Sequence, residues 1–360
     1  MFTSITNAIN SFLIRTQKPS LTQKATFFRL LAVSQKAWLG IRASLVSLQQ
    51  GEKHKGLLLI LESMIQKLTE GSNLADAMES HPYFFNTDEI ELLRSTEITG
   101  NMAKTLEDIA DDLESSQEIT QKIKKALTYP ALVISFTIVA VVVLLVFVMP
   151  SIVEMYGDIP LPWITVFMLN TSDFLWHYWL LLLGAVVALI VAWNLAYTYL
   201  FSFKILIDTM LTKIPVVSRV VKLFYMSRFT VLLAQFYEAG VSPVVSFKLL
   251  AAIFDNFSYK RKMVEIRNSI NAGFSIYDSM EGSELFDPIL VQIINVGENT
   301  GSLTEVLKRI SVYYTTSLKN EIDTAMTIIE PLLMAFVACI VGVLLGAIYL
   351  PMADMVNAIQ

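Results

Sequence analysis

The carboxylates offer the first candidates for chemistry. Glu107, Asp108, Asp111, Asp112 and Glu114 crowd a single stretch. Such a group could hold a hard cation through oxygen ligands, dock a basic partner, or form the solvated face of a helix. The solvated face is the expectation, with the acidic docking face as the sharper alternative. Glu97 and Glu298 are a second kind of candidate, because each stands shortly before a glycine, Gly100 or Gly301. A carboxylate can serve as a general acid or base, but no histidine or second acid accompanies these two at a repeated spacing. A structural role or a partner contact fits better. Glycine supplies the left-handed conformation of a tight helix–turn–helix corner, Glu298 could satisfy backbone donors there, and Ser302 with Glu305 matches a capping box.

The remaining reactive residues exclude more than they suggest. His54, His81 and His177 share no ligand spacing. Cys339 is the only cysteine and lies in an apolar run, which excludes an intramolecular disulfide and a CxxC site. There is no phosphate-cradling GxxxxGK[ST], no dinucleotide-binding GxGxxG and no GxSxG elbow. The chain is therefore expected to be no enzyme, with no cofactor and no metal site.

The elements that must position these residues occur twice. Adding 201 turns Glu97, Gly100, Leu106, Ile109, Pro130 and Pro150 into Glu298, Gly301, Leu307, Ile310, Pro331 and Pro351. Upstream the offset is 202: Phe27, Leu30, Leu31, Gly71, Asp76 and Phe84 answer to Phe229, Leu232, Leu233, Gly273, Asp278 and Phe286. One extra residue in the first copy, between Phe84 and Glu97, explains the change. Identities on two registers mark an internal duplication. Within each copy the period is helical, as in Leu57, Leu58, Leu61, Ile65 and Leu68 before Gly71. Gly71 is a plausible helix stop, and Ser72-Asn73 and Ser275 are good N-caps for the helices that follow.

Composition places this duplicate in a membrane. Of 360 residues, 54% are hydrophobic and only 16% charged, against about 25% charged in soluble domains; mean hydropathy is +0.55. The net charge of −5, with no Lys/Arg block, does not suggest nucleic acid. Three stretches lack charge and are long enough to span a bilayer: between Lys125 and Glu154, between Asp173 and Lys204, and between Glu330 and Asp354. Trp176, Tyr178, Trp179, Trp193, Tyr197 and Tyr199 flank the middle one as boundary aromatics. Lys122, Lys124 and Lys125 precede the first span, and Lys204, Lys213, Arg219 and Lys222 follow the second. The connecting loop and the tail after Pro351 have neither Lys nor Arg. The positive-inside rule then puts both polar domains in the cytoplasm and the C-terminus outside.

The expected fold is an all-α membrane protein with two repeated cytoplasmic helical-bundle domains and three transmembrane helices. Its divisions are an amphipathic N-terminal segment 1–20, a first cytoplasmic domain 21–125, a first transmembrane helix 126–150 and an external loop 151–173. A second transmembrane helix 174–203, a second cytoplasmic domain 204–329, a third transmembrane helix 330–351 and an external tail 352–360 follow. The N-terminal segment carries Phe2, Ile5, Ile9, Phe12 and Leu13 at helical spacing, unlike a signal peptide. Pro331, Ala335, Cys339, Gly342 and Gly346 share one face of the third span, and Gly342 with Gly346 makes the GxxxG of close helix packing. That face is expected to meet another helix, within the chain or in another protomer. The spans hold no ionisable group at their centres, which argues against a transporter.

These features together resemble a known family, the inner-membrane platform proteins of type IV pilus and type II secretion machines, PilC and GspF. The resemblance covers nearly the whole chain. It rests on the doubled domain, VGENTGSL (Val296–Leu303), KIKKALTYP (Lys122–Pro130), EPLL (Glu330–Leu333) and YLPM (Tyr349–Met352). The first copy departs from it, with Ser95-Thr96-Glu97 where the family tends to Ala-Gly-Glu, and Trp38 where the second copy has Gly240. The resemblance implies a non-enzymatic platform in the bacterial inner membrane. Its implied partners are a cytoplasmic assembly ATPase, pilin or pseudopilin, other inner-membrane machine components and membrane lipid, with self-association into a homo-oligomer. The short N-terminus is similar to the compact pilus-type members. A type II secretion platform, and then a polytopic transporter, are the alternatives.

Overall fold

The computed structural model describes residues 19–151, 163–199 and 215–359. The N-terminal amphipathic segment lies almost wholly outside them, as do the first half of the external loop, 152–162, and the start of the second polar region. Among the described residues there is no strand. The first copy holds α1 (Leu21–Lys36), α2 (Ile41–Gly51), α3 (Lys55–Thr69), α4 (Leu74–Glu79), α5 (Thr87–Thr99) and the long α6 (Met102–Val143), continued by a π-helical turn, Leu144–Val148. After α7 (Trp163–Tyr199) the second copy repeats the order with α8 (Pro215–Glu238), α9 (Pro243–Ile253), α10 (Phe257–Asn271), α11 (Ile276–Met280), α12 (Pro288–Thr300) and α13 (Leu303–Ile359).

Local chemistry sets most boundaries. Ser20 and Gln23 close a capping box at α1. Asn73 accepts from Asp76 N–H to start α4, and Ser275 with Asp278 does the same for α11. Gly71 and Gly273 both sit at φ +94° just beyond the preceding helix, where a left-handed residue ends it.

The corner glycines stand at φ +81° (Gly100) and +66° (Gly301), but the two corners close differently. Gly100 N–H makes one bond, to Thr96 O. In the second copy Gly301 N–H reaches Glu298 O and Ser302 N–H reaches Gly297 O, the paired Schellman pattern. Gly297 permits it: a Cβ there would lie 3.0 Å from Leu303 Cα. The first copy has Thr96 at that place, its hydroxyl bonded to the carbonyls of Leu92 and Leu93. The expected Ser302–Glu305 capping box gives way to other partners, since Ser302 meets the Thr300 hydroxyl and Glu305 binds Arg309.

Two compact units emerge, 1–121 with 208–321, and 122–207 with 322–360. The first gathers the polar parts of both copies, which the sequence had suggested as separate bundles, around one continuous apolar core. Phe27, Phe28, Phe84 and Phe85 pack largely edge to face in the first copy, and Phe229, Phe247 and Phe286 fill the corresponding centre of the second. Polar links join the copies within this unit. Ser95 Oγ donates to Ala239 O at 2.8 Å, Gln235 donates to Asp108 O at 3.0 Å, and Arg228 bridges Asp112 and Asp88.

Met102–Ser151 and Leu303–Tyr349, which begin in the first unit and carry their apolar parts in the second, are helices long and apolar enough to cross a membrane. Neither breaks at its first proline: α6 runs through Pro130 and α13 through Pro331. The second proline of each copy leaves a carbonyl without a donor, because proline has no N–H. In α13 the orphan is Ala347 O, four residues before Pro351, and the buried Thr165 of α7 donates to it at 2.9 Å. In the π turn Met149 N–H bonds Leu144 O, so the next step of that register, Leu145 O, faces Pro150. Ser172 of α7, also buried, donates to that oxygen at 2.8 Å. The middle helix thus satisfies the proline-orphaned carbonyl of each copy. The middle span expected at 174–203 extends slightly beyond the described residues, and α7 itself begins earlier, at Trp163.

Candidate functional site

The doubled glutamates do the same job in both copies, at a place the sequence did not disclose. Glu298 Oε1 accepts from Ile276 N–H and Oε2 from Tyr277 N–H, both at 2.8 Å. Glu97 Oε1 accepts from Leu74 N–H at 2.6 Å and Ala75 N–H at 3.3 Å. The donors belong to the first turns of α11 and α4, not to the corner that carries the acid. Each carboxylate therefore ties its corner to a short helix more than twenty residues upstream and complements that helix's positive end. Burial raises the Glu97 pKa above its ordinary value, against the opposing pull of the two backbone donors. Its Oε2 is buried with no partner, whereas both oxygens of Glu298 are occupied. Carboxylates held this way brace the short helices against the corners. The recurrence of Asp76 and Asp278, after the helix-ending glycines and 21 and 20 residues before Glu97 and Glu298, is the signal that could have linked them.

The acidic group on α6 is largely engaged with cations of the same chain. Arg29 binds Asp111 and, at 2.8 Å, Glu114; Lys36 binds Glu107 at 2.6 Å. Lys104 binds Asp108 at 2.7 Å, and Arg228 of the second copy binds Asp112. These contacts hold the Glu107 and Glu114 pKa values below the usual carboxylate range, through Lys36 and Arg29 respectively. Asp108 moves the other way, because burial outweighs Lys104. No group of three or more His, Cys, Asp or Glu among the described residues could hold a metal ion. A cavity of about 480 Å³ lies beside this helix, bounded by Asp108, Asp112, Arg228, Glu238 and Lys308 and by the hydroxyls of Ser115, Ser227 and Thr315.

The small-residue face of α13 lies open within the chain. Pro331, Ala335, Cys339 and Gly342 are exposed, and a Cβ added at Gly342 or Gly346 would meet nothing within 4 Å. Within the apolar part of the helix, the contact lies on another face, with Ala347 packed beside Leu145 and Met149.

Comparison with known proteins follows the same division. The model of the family described as "Type II secretion system (T2SS), protein F" matches residues 27–150 and again 229–351. Each match takes in the polar helices, the glutamate corner and the span as far as its second proline. The chain is 26% identical over 338 residues to the type IV pilus assembly protein PilC of Pseudomonas aeruginosa, covering 93% of this chain and 90% of that one. It is 29% identical to the type IV pilus assembly protein TapC of Aeromonas hydrophila, over 78% of this chain and 68% of the relative. It is 26% identical to the type II secretion system protein F of Vibrio cholerae, over 86% and 76%. With the domain matched twice and over most of its length, the chain belongs to the type II secretion system protein F family.

Proposed function

We propose that the protein is the inner-membrane platform of a type IV pilus assembly machine, coupling a cytoplasmic assembly ATPase to the insertion of pilin subunits into the filament. The observation that carries this reading is the doubled unit itself, in which a braced helical bundle continues without a break into a helix able to span the membrane. A displacement of the bundle would travel along such a helix. The same features support a non-enzymatic role, since the two repeated carboxylates are occupied as braces. Lys and Arg distribution supports three spans, a cytoplasmic position for both polar regions and a periplasmic C-terminus. The uncovered face at Pro331, Ala335, Cys339, Gly342 and Gly346 is assigned to contact between protomers, and the exposed edge of the acidic α6 helix to docking of machine partners.

The test is deletion and complementation. Loss of the chain should abolish surface filaments, and Glu298→Ala should lower filament number while the ATPase still co-purifies with the wild-type platform. Undiminished filaments in the deletion strain would overturn the reading. Similarity to the Vibrio cholerae secretion protein favours a second reading, a type II secretion platform. Crosslinks to a pseudopilin instead of a pilin would select it.

A further inference from the structure

Two ion pairs join residues that occupy the same place in the two copies. Glu118 plus 201 is Lys319, and Lys319 Nζ lies 2.6 Å from Glu118 Oε2 within the first unit. Lys122 plus 201 is Asp323, and this pair lies 2.7 Å apart within the second unit. Equivalent residues of two copies meet only near the axis that relates them, so α6 and α13 run parallel and in register there. Two identical helices paired this way would set like charge against like at both places. Here the sign is opposite in each.

The inversion extends beyond these positions. Lys36 pairs with Glu107 in the first copy, and the equivalent residues of the second, Glu238 and Lys308, pair with the signs exchanged. Along residues 102–121 six carboxylates face the single Lys104, a net −5, while along 303–322 Glu305 and Glu321 stand against Lys308, Arg309 and Lys319, a net +1.

We propose that this sign inversion is a pairing code, selecting the first-copy stalk (α6 over 102–122) against the second-copy stalk (α13 over 303–323), parallel and in one register. The two on-axis pairs alternate in sign along each helix. Sliding one helix by a turn would bring Glu118 to Asp323, or Lys122 to Lys319, so a slip in either direction meets repulsion. Pairing of two first-copy stalks from separate protomers would meet it at both positions. An exposed ion pair contributes little as attraction. Its selectivity comes from the like-charge arrangements it penalises.

Disulfide crosslinking in the full chain in native membranes, with Cys339→Ala as background, tests the code. Ser115 and Thr316 are equivalent positions on the same helical faces, both lining the cavity beside the stalks. Ser115→Cys with Thr316→Cys therefore reports the native register, and Ser115→Cys with Asn320→Cys reports a one-turn slip. With native charges the first crosslink should dominate. Glu118→Lys with Lys319→Glu keeps opposite charges in register but removes the alternation, so the slipped fraction should rise about tenfold. Adding Lys122→Asp and Asp323→Lys inverts the whole pattern and should return the native ratio and the native amount of protein in the membrane. An unchanged ratio in the double variant overturns the proposal, and so does a full inversion that does not restore it.

Discussion

At one buried place the two copies answer the same packing problem in opposite ways. The first copy sets Lys24 against Glu89 at 2.7 Å, with side chains 8% and 4% exposed. The equivalent residues of the second copy are Met226 and Leu290, 1% and 0% exposed. An ion pair in such a site recovers its desolvation only through good geometry, and an apolar pair of similar volume fills it at no electrostatic cost. Glu89 has further support, accepting from Asn86 N–H at 2.8 Å to close the box at the start of α5, and Lys24 sits over the Phe84 ring. Even so, burial pushes the Glu89 carboxyl up to about 7, against the pull of Lys24. Stability in the first copy is therefore tied to pH at a place where the second has nothing to titrate.

The largest expected effect comes from breaking this pair on one side. Glu89→Leu strands the Lys24 ammonium and should cost about 3–5 kcal/mol in urea unfolding of the purified chain. Lys24→Met with Glu89→Leu, which rewrites the first copy as the second, should recover most or all of that loss. Equal costs for the single and double variants would mean that the pair itself is not what the site senses. Next is the pH dependence. The folded-state pKa of Glu89, about 7, lies above its ordinary 4.5, so folding takes up a proton between those values. This contribution is complete below pH ~4.5, fades as pH rises through 7, and amounts to on the order of 3 kcal/mol. Unfolding of the Lys24→Met, Glu89→Leu chain should lack that slope.

The braces should separate the copies more gently. Glu298→Gln retains one acceptor where two are in use, and should lose about 1–2 kcal/mol. Glu97→Gln keeps an acceptor that can take both donors and replaces an oxygen with no partner, so its loss should stay below about 0.5 kcal/mol. A larger loss for Glu97→Gln in thermal melts would contradict the unequal bracing. A similarly small effect belongs to Trp38, held at φ +62° and 96% exposed where the second copy has Gly240 at +75°. Trp38→Gly should gain about 0.5 kcal/mol, the left-handed strain released less the added freedom of the unfolded chain. Gly240→Ala should lose about 1 kcal/mol by the same reasoning.

How much of this was legible depended on distance along the chain. The helices, the glycine turns and the duplication rest on spacings of a few residues or on one fixed offset, and these stand in the sequence as written. The braces were half legible: the acid and its corner could be seen, but the receiving helix lies more than twenty residues away. The acidic group on α6 was half legible in a different way. Its charges are adjacent, yet Arg29 and Arg228, which bind them, come from 82 and 116 residues off, and nothing local encodes that. The copy-to-copy ion pairs were hidden by the duplication itself. Identities mark a repeat, whereas Glu118 and Lys319 count as a mismatch until they are seen to touch.

The two hydroxyls of the middle helix carry a mechanical implication. An ordinary helix carbonyl is released only by opening the backbone, but Ala347 O and Leu145 O are held from outside by Thr165 and Ser172. In a bilayer such a bond is worth about 0.6 kcal/mol on average, close to thermal energy at 298 K. Each outer helix nevertheless depends on the middle one for a bond its own backbone cannot supply, because the proline that follows has no N–H. Thr165 and Ser172 are therefore fasteners, and removing either hydroxyl would leave a buried carbonyl of an outer helix bare.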